Sequence, residues 1–179
     1  MLFSPLEVAG AYLTELDRKT DERGFFSRTF CEEEFERHGL TARFPQANLS
    51  HNSARGTLRG MHYAVSPSRE SKLVRCTTGA IYDVLLDVRP DSPTFRKWTA
   101  LELSRENGRA VFIPAGVAHG FLTLLTDTDV LYQMGDLYRP DTARGLRWND
   151  EAFGVAWPFE PSVISERDAS YPSFDGAAG

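Results

Sequence analysis

Short apolar runs separated by turn-forming residues dominate the chain from residue 46 to residue 135. Breakers such as Asn52-Ser53, Asn107-Gly108 and Asp127-Thr128-Asp129 separate the runs at intervals of about 8–12 residues, a spacing typical of a β-sandwich or a small barrel. No helical periodicity lies between them, which argues against alternating β–α units. The strands predicted from this pattern are 46–50, 57–63, 72–77, 80–88, 97–103, 110–113, 120–125 and 130–135.

The two ends of the chain carry a weaker pattern. Alternation over 12–16 predicts an edge strand. Segment 32–39 predicts a short helix, because acids fill its first turn, a cation lies near its end and Gly39 follows. From Tyr138 onward the sequence indicates loops with one helix, and a frayed tail is expected at 175–179.

Composition supports one compact all-β domain covering residues 1–179. The chain is 41% hydrophobic and 25% charged, and its 14 Gly, 10 Pro, 12 Phe, 6 Tyr and 3 Trp favour strands and turns over a helical bundle. A net charge of -5 argues against nonspecific nucleic-acid binding. A small anionic ligand would need basic side chains gathered locally in a pocket.

Targeting and redox signals point to the cytoplasm. The first residues show no basic segment followed by an apolar core, and no apolar run approaches the ~18 residues of a membrane span. The two cysteines, Cys31 and Cys76, are too few for a disulfide framework, so we expect reduced thiols. These features predict a cytoplasmic protein.

A glycine turn, an apolar strand and a Pro114-x-Gly116 turn precede His119, and this segment resembles the second motif of the cupin superfamily of jelly-roll barrels. The stretch corresponding to the first motif holds only His62, and Ala64 stands where a second metal ligand would be. A divalent ion prefers three or four protein ligands. The sequence therefore predicts no metal site, and a barrel that performs metal-free chemistry or plain binding.

The pattern of motifs along the whole chain is more specific. From about Asp17 to Pro172 it resembles the dTDP-4-dehydrorhamnose 3,5-epimerase family in order and spacing. Each motif alone is weak, but the set is specific. The segments that carry the resemblance are DERGFF (21–26), QANLS (46–50), GTLRGMHY (56–63), KLVR (72–75), DSPTF (91–95), IPAGVAHGF (113–121), VLY (130–132), GLRWND (145–150) and ISERD (164–168).

The resemblance implies a double-stranded β-helix, or jelly roll, with short flanking helices, and a homodimer. It also implies inversion at C3 and C5 of a 4-keto-6-deoxyhexose on a nucleoside diphosphate. Both carbons flank the C4 ketone, so removal of either proton gives an enolate that is reprotonated on the opposite face. This chemistry needs a base, an acid and a group that holds the enolate oxygen, and it needs no cofactor.

The family pattern assigns these roles to four residues. His62 is the expected base, oriented by Asp168, and Tyr132 is the expected proton donor. Lys72 shares strand parity with Val74 and is expected to stabilise the enolate oxygen. From periodicity alone, Tyr132 would be interpreted as a core aromatic and His62 as a structural histidine about as readily as a functional one.

A further set of residues is expected to bind the nucleotide sugar. Arg23 and Arg59 suit the diphosphate, because a guanidinium holds phosphate oxygens in pairs. For Arg59 and His62 to face one pocket, Gly60 must host a bulge or bend. The remaining candidates for sugar, phosphate or base contacts are Phe26, Arg28, Gln46, Asn48, His119, Tyr138, which is expected to stack on the base, and Arg167.

Two positions depart from the family pattern. Arg28 and Ala143 stand where thymidine-using members commonly carry glutamate. A carboxylate can accept the N3–H of thymine, whereas an arginine only donates, and cytosine offers an acceptor at N3. The substrate is therefore either linked to a nucleotide other than dTDP, with CDP as the first candidate, or, if Arg28 points outward, a dTDP-linked sugar.

Three other interpretations stay open at this point. The enzyme could invert one centre only. A non-enzymatic sugar-nucleotide-binding cupin would have no use for an acid–base set. For a metal-dependent cupin oxygenase or isomerase, this sequence lacks the side chains that would bind the metal.

Overall fold

Two face-to-face sheets form the body of the protein in the computed structural model, which describes residues 1–174. The predicted frayed tail, 175–179, lies outside these residues. The described elements are β1 (Leu2–Pro5), β2 (Tyr12–Glu15), β3 (Lys19–Asp21), β4 (Gly24–Phe26), α1 (Glu32–Arg37), β5 (Gln46–Asn52), β6 (Thr57–Ala64), β7 (Lys72–Thr78), β8 (Ala80–Asp87), β9 (Trp98–Ser104), β10 (Ala110–Ile113), β11 (Val117–Thr123), β12 (Thr128–Met134), β13 (Ala143–Gly145), β14 (Val163–Ile164) and α2 (Glu166–Ala169).

The strand order confirms the predicted jelly roll. One sheet runs β1-β2-β10-β7-β12-β5, and the other runs β13-β6-β11-β8-β9 with β14 joined to β6. The apolar side chains that face inward from both sheets form the main core, which includes Val74, Ile113 and Val130 from one sheet and Leu85 and Phe121 from the other. This interior explains the alternation and the continuous apolar runs in the sequence.

Flanking segments cover the outer face of each sheet. On the first sheet, α1 places the fully buried Phe35 against Leu73 and Phe112, and burial of such a ring contributes about 1.5–3 kcal/mol. On the second sheet, the C-terminal segment packs Leu146 and Phe153 onto strands β8 and β11. Neither helix within residues 1–174 is long and apolar enough to cross a membrane.

Two local expectations were wrong. Strand β2 is not an edge strand, because β1 pairs with its outer side and itself forms the edge. Strands β13 and β14 were predicted as loops. They pair with opposite ends of β6 and contain three and two residues, too few to show alternation in the sequence. The predicted turns at Gly108 and Gly116 are confirmed by their positive φ angles of 65° and 80°.

Candidate active site

A cavity of about 350 Å³ lies among strands β5, β6, β7, β11 and β12. It brings together eight of the residues selected from the sequence, although they are spread over 120 positions of the chain. Those residues are Asn48, Arg59, His62, Lys72, His119, Tyr132, Tyr138 and Arg167.

A bulge at Gly60 turns Arg59 and His62 toward this cavity. The register between β6 and β11 shifts, since His62 faces His119 but Arg59 faces Phe121. Gly60 has a φ of 118°, and a Cβ there would lie 2.6 Å from the Cα of Gly120. Only glycine fits this backbone approach, which confirms the predicted bend.

Asp168 lies behind the His62 ring. Its Oδ1 is 2.7 Å from Nε2 of His62, and its Oδ2 accepts a hydrogen bond of 3.1 Å from the backbone N–H of Gly60. The side chain of Ser165 caps α2 by accepting from the Asp168 N–H. The cap and the bulge together aim the carboxylate at the imidazole.

The pKa of Asp168 is lowered from its ordinary value despite burial. Burial acts to raise the pKa, but the hydrogen bond and charge of His62, the Gly60 N–H and the Ser165 hydroxyl outweigh it. Asp168 is thus an anion whose charge is directed at one face of His62. The opposite ring nitrogen of His62 remains for chemistry in the cavity.

Tyr132 enters the cavity from the other sheet, on β12. Its ring meets the His119 ring edge-on, with centroids 5.9 Å apart. Burial, helped by the nearby Asp83 carboxylate and opposed by Arg59, raises the pKa of Tyr132 above its ordinary value. The phenol therefore keeps its proton at neutral pH and can donate it.

A second histidine–aspartate pair borders the same cavity. Nε2 of His119 is 2.7 Å from Oδ1 of Asp83, and both residues are buried. Oδ2 of Asp83 is buried without a hydrogen-bond partner among the described residues. The pair fixes the His119 ring at the cavity wall.

Lys72 points into the cavity, as its strand parity predicted. Lys72 is only 7% exposed, and its Nζ is 2.8 Å from Oε1 of Glu70. A charged ammonium on this wall can interact with a developing enolate oxygen.

A hydrogen-bonded cluster forms one rim of the cavity. Gln46 does not line the cavity itself. Its Nε2 donates to Oδ1 of Asn48 at 3.1 Å, and its Oε1 accepts from the backbone N–H of Tyr138 at 3.2 Å. Gln46 thus orients Asn48 and the loop that carries the exposed Tyr138 ring.

Positive charge dominates the lining within residues 1–174. Its single carboxylate, Glu70, is outnumbered by five basic side chains, namely Arg59, Lys72, Arg139, Arg144 and Arg167. Nε of Arg59 donates to Oδ1 of Asn52 at 2.8 Å, which holds that guanidinium at the wall. An anion such as a diphosphate is favoured here although the whole chain is acidic.

Besides Gln46, three predicted substrate-binding residues do not line this cavity. Arg23 is exposed and pairs with Asp21, whereas Phe26 is 82% exposed on β4. Nη1 of Arg28 is 2.7 Å from Oε1 of Glu34. Their assignment to the substrate therefore stays a prediction.

Sequence reasoning missed several cavity residues. Glu70 lies two positions from Lys72, so strand parity could have placed it on the same face. Asp83, which does not line the cavity but pairs with His119, was visible as an acid between apolar neighbours in β8. Arg139 and Arg144 had no signal of their own, since surface arginines are common in loops. Within residues 1–174 no three His, Cys, Asp or Glu side chains converge as metal ligands.

The family model and the curated relatives that match this chain name the same family. The family model described as dTDP-4-dehydrorhamnose 3,5-epimerase matches residues 5–176. A dTDP-4-dehydrorhamnose 3,5-epimerase from Sinorhizobium fredii is 43% identical over 174 residues, which cover 97% of this chain and 89% of the relative.

Solved structures share the fold. A dTDP-6-deoxy-D-glucose-3,5-epimerase from Legionella pneumophila, in complex with dTDP-4-keto-L-rhamnose, has a TM-score of 0.88 and 35% identity, covering 95% of this chain and 90% of that one. A 3'-monoepimerase from Streptomyces bikiniensis, in complex with dTDP-quinovose, has a TM-score of 0.87 and 34% identity, covering 94% and 86%.

Proposed function

This chain belongs to the dTDP-4-dehydrorhamnose 3,5-epimerase family, and from that membership we propose how its own residues perform the epimerisation. It is a nucleotide-sugar isomerase of deoxysugar biosynthesis. The observation that carries the proposed mechanism is the placement of His62 and Tyr132, which line one cavity from opposite sheets.

His62 acts as the base. Its free ring nitrogen takes the proton from C3 or C5, and the C–H electron pair moves toward the C4 oxygen to give an enolate. Asp168 stabilises the imidazolium that forms, because its anionic Oδ1 remains 2.7 Å from Nε2. General-base catalysis by such a dyad typically contributes about 10²–10⁴-fold in rate.

Tyr132 completes the inversion. A proton delivered from its hydroxyl to the opposite face of the planar enolate carbon inverts the centre, and the C4 ketone re-forms. The raised pKa of Tyr132 keeps the hydroxyl protonated for this step. Proton exchange with solvent then restores both groups.

Lys72 and His119 hold the sugar during the reaction. Lys72 is buried at the wall, where low dielectric strengthens the attraction of an ammonium to an enolate oxygen. His119 is fixed by Asp83 and provides a further polar contact for sugar or phosphate.

The nucleotide part binds toward the rim. Arg59 and Arg167 suit the diphosphate, and the exposed Tyr138 ring suits stacking on the base. Gln46 and Asn48 suit the hydrogen-bonding groups of sugar or base. Arg23, Phe26 and Arg28 lie in and directly after the β3–β4 ribbon. They contact the substrate only if this segment reaches a nucleotide bound outside the cavity of its own chain.

dTDP is the nucleotide that we favour over CDP. The CDP alternative rested on Arg28 and Ala143. In the structure the Arg28 guanidinium is paired with Glu34 and does not line the cavity. The main reason to expect a nucleotide whose base has an acceptor at N3 is therefore removed.

A homodimer is the proposed assembly. Among the described residues β5 pairs only with β12, so its other edge is free, and Leu49 on this strand is 65% exposed. Exposed Phe25 and Phe26 on the β3–β4 ribbon add apolar surface. Light scattering should give twice the 20.1 kDa chain mass, and Leu49→Asp should shift the protein toward monomer. A wild-type monomer would contradict the dimer.

A cytoplasmic location is proposed from the two free thiols. Cys31 and Cys76 are unpaired, and burial raises the pKa of the Cys76 thiol to about 12, which makes it unreactive. Thiol titration of unfolded protein purified without reductant should find both cysteines reduced.

Solvent isotope exchange tests the proposed mechanism. The protein is incubated with dTDP-4-keto-6-deoxyglucose in deuterium oxide, and deuterium is followed at C3 and C5. We expect incorporation at both carbons, its loss in His62→Ala, and normal exchange in His38→Asn, where the ring stacks on Phe3 away from the cavity. Incorporation at C3 alone would identify a mono-epimerase. No incorporation with dTDP, CDP, UDP or GDP sugars would overturn catalysis in favour of plain binding.

A further inference from the structure

Glu70 and Lys72 form an ion pair inside the cavity. Oε1 of Glu70 lies 2.8 Å from Nζ of Lys72, and the two side chains are only 12% and 9% exposed. Exposed pairs of this kind contribute little because solvent screens them, but a pair shielded from water interacts more strongly. Neither the acid–base steps nor nucleotide binding requires this carboxylate.

The segment that carries Glu70 is fixed at several points. The Glu70 backbone N–H donates to the Ser68 hydroxyl at 3.2 Å, and Oδ2 of Asp136 accepts from the Ser68 hydroxyl and from the Arg69 N–H. The Gly135 N–H donates to the Ser71 carbonyl at 2.8 Å.

Gly135 also leaves space for this segment. A Cβ at Gly135 would collide with the Ser71 hydroxyl, so segment 68–71 packs against Gly135 too closely for a side chain at that position. The end of β12 therefore holds segment 68–71 in one place, and the Glu70 carboxylate is presented to Lys72 by a rigid support.

The electrostatic surroundings explain why Lys72 needs this partner. The other titratable or charged groups that face the cavity come from several elements. They are Arg59, His62 and Tyr63 from β6, His119 from β11, Tyr132 from β12, Tyr138 and Arg139 from the loop after β12, Arg144 from β13 and Arg167 from α2. The cations among them repel the ammonium of Lys72. Glu70, the one carboxylate among the described lining residues, opposes that effect.

We propose that Glu70 is a positioning residue for Lys72: it holds the ammonium in place and aimed into the cavity until the C4 oxygen of the substrate takes part of that interaction. This inference rests on the proposed role of Lys72 at the enolate. The C4 oxygen gains negative charge as the enolate forms, so an ammonium held beside it interacts more strongly with the enolate than with the neutral ketone. Such differential binding raises kcat rather than lowering KM.

Glu70→Gln tests this proposal because it keeps the shape and removes the charge. We expect kcat to fall by about 10-fold to 100-fold, as for a displaced catalytic group, with KM little changed. Glu70→Asp keeps the charge at shorter reach and should restore part of the rate. Glu102→Gln, an exposed acid on β9, is the matched control and should change neither quantity.

A double-mutant cycle separates the possible failures. If Glu70 acts through Lys72, then Glu70→Gln added to Lys72→Met causes no further loss in kcat. Additive losses would mean that Glu70 contacts the substrate directly and would overturn the proposal. An unchanged kcat in Glu70→Gln, with a slow Lys72→Met, would overturn it while leaving the role of Lys72 intact. A fully active Lys72→Met would instead overturn the role of Lys72 itself.

Discussion

Asp168 and His62 are 106 residues apart in the chain, yet Oδ1 of Asp168 lies 2.7 Å from Nε2 of His62. The second oxygen of the same carboxylate is held by the Gly60 N–H, two residues before the histidine. The carboxylate is therefore fixed at both ends on the bulged strand. This arrangement leaves one rotamer and one ring tautomer of His62 favoured.

Replacement of Asp168 by Asn should disable the base while leaving the fold. An amide carries no charge to stabilise the imidazolium and can present its N–H₂ to the ring, which favours the wrong tautomer. We expect kcat to fall by about 10²–10⁴-fold with KM little changed. Steady-state kinetics measure this, and circular dichroism checks the fold. A kcat within a few fold of wild type would show that His62 works without its carboxylate.

Gly145 should tolerate no side chain, although its backbone is not in a left-handed conformation. It pairs with His62 across β13 and β6, and a Cβ on it would fall within the Tyr171 ring. That ring meets the His62 ring edge-on, with centroids 6.1 Å apart. We expect Gly145→Ala to displace Tyr171, to lower kcat about tenfold, and to cost about 1–3 kcal/mol in unfolding free energy from overpacking.

Two further variants at Tyr171 test this explanation. The Tyr171 hydroxyl is buried without a hydrogen-bond partner among the described residues, so Tyr171→Phe should keep both stability and kcat. The double variant Gly145→Ala/Tyr171→Ala should be no less stable than Tyr171→Ala alone, because the collision is gone. A further loss in the double variant would locate the collision elsewhere.

The fold was predictable because its central strands, β6, β7, β8, β10 and β11, each bury at least one face. Alternation and turn residues located the strands from β5 to β12 to within a few residues. The bulge at Gly60 was predictable as well, since Arg59 and His62 could share a pocket only if the strand bent there. Strands β13 and β14 escaped prediction because their pairing depends on the free edge of β6, which no local pattern encodes.

The site was predictable only where family motifs marked it. No local signal joins Asp168 to His62, because the contact depends on how a C-terminal turn closes on a strand far away in sequence. Asp83 and Glu70 were missed for a related reason. Asp83 meets its partner His119 only in the folded barrel. Glu70 is connected to its partner Lys72 in the sequence only by their spacing of two residues.

Nucleotide preference should follow the position of Arg28. Because its guanidinium is bound to Glu34 outside the cavity, we expect dTDP to bind more tightly than CDP, UDP or GDP. We also expect Arg28→Ala to leave that order unchanged. Calorimetric titration of the purified protein with each nucleotide measures both. Tightest binding of CDP, or a new order in Arg28→Ala, would mean that Arg28 reads the base after all.

Asp87 should stabilise the protein in a pH-dependent way. This fully buried carboxylate ends β8 and accepts hydrogen bonds from the guanidinium of Arg89 and from the hydroxyls of Ser92 and Thr94, at 2.5–2.8 Å. Burial raises its pKa, but these donors outweigh burial and lower the pKa from 3.8 to about 2. The folded protein therefore binds this proton less readily than the unfolded chain.

The sign of the effect follows from that difference. Above pH 4 the full contribution of Asp87 is present, and it is lost as pH falls from about 4 to about 2. A shift of this size corresponds to about 2 kcal/mol. Asp87→Asn should thus be less stable than wild type at pH 7. The difference in unfolding free energy between the two proteins should narrow steadily below pH 4. Urea unfolding of both proteins at pH 7, 5 and 3 measures this difference, with Asp91→Asn, an exposed acid in the following turn, as control. A difference that stays constant down to pH 3 would mean that the Asp87→Asn variant loses packing rather than charge, since the charge of Asp87 titrates in this range and packing does not.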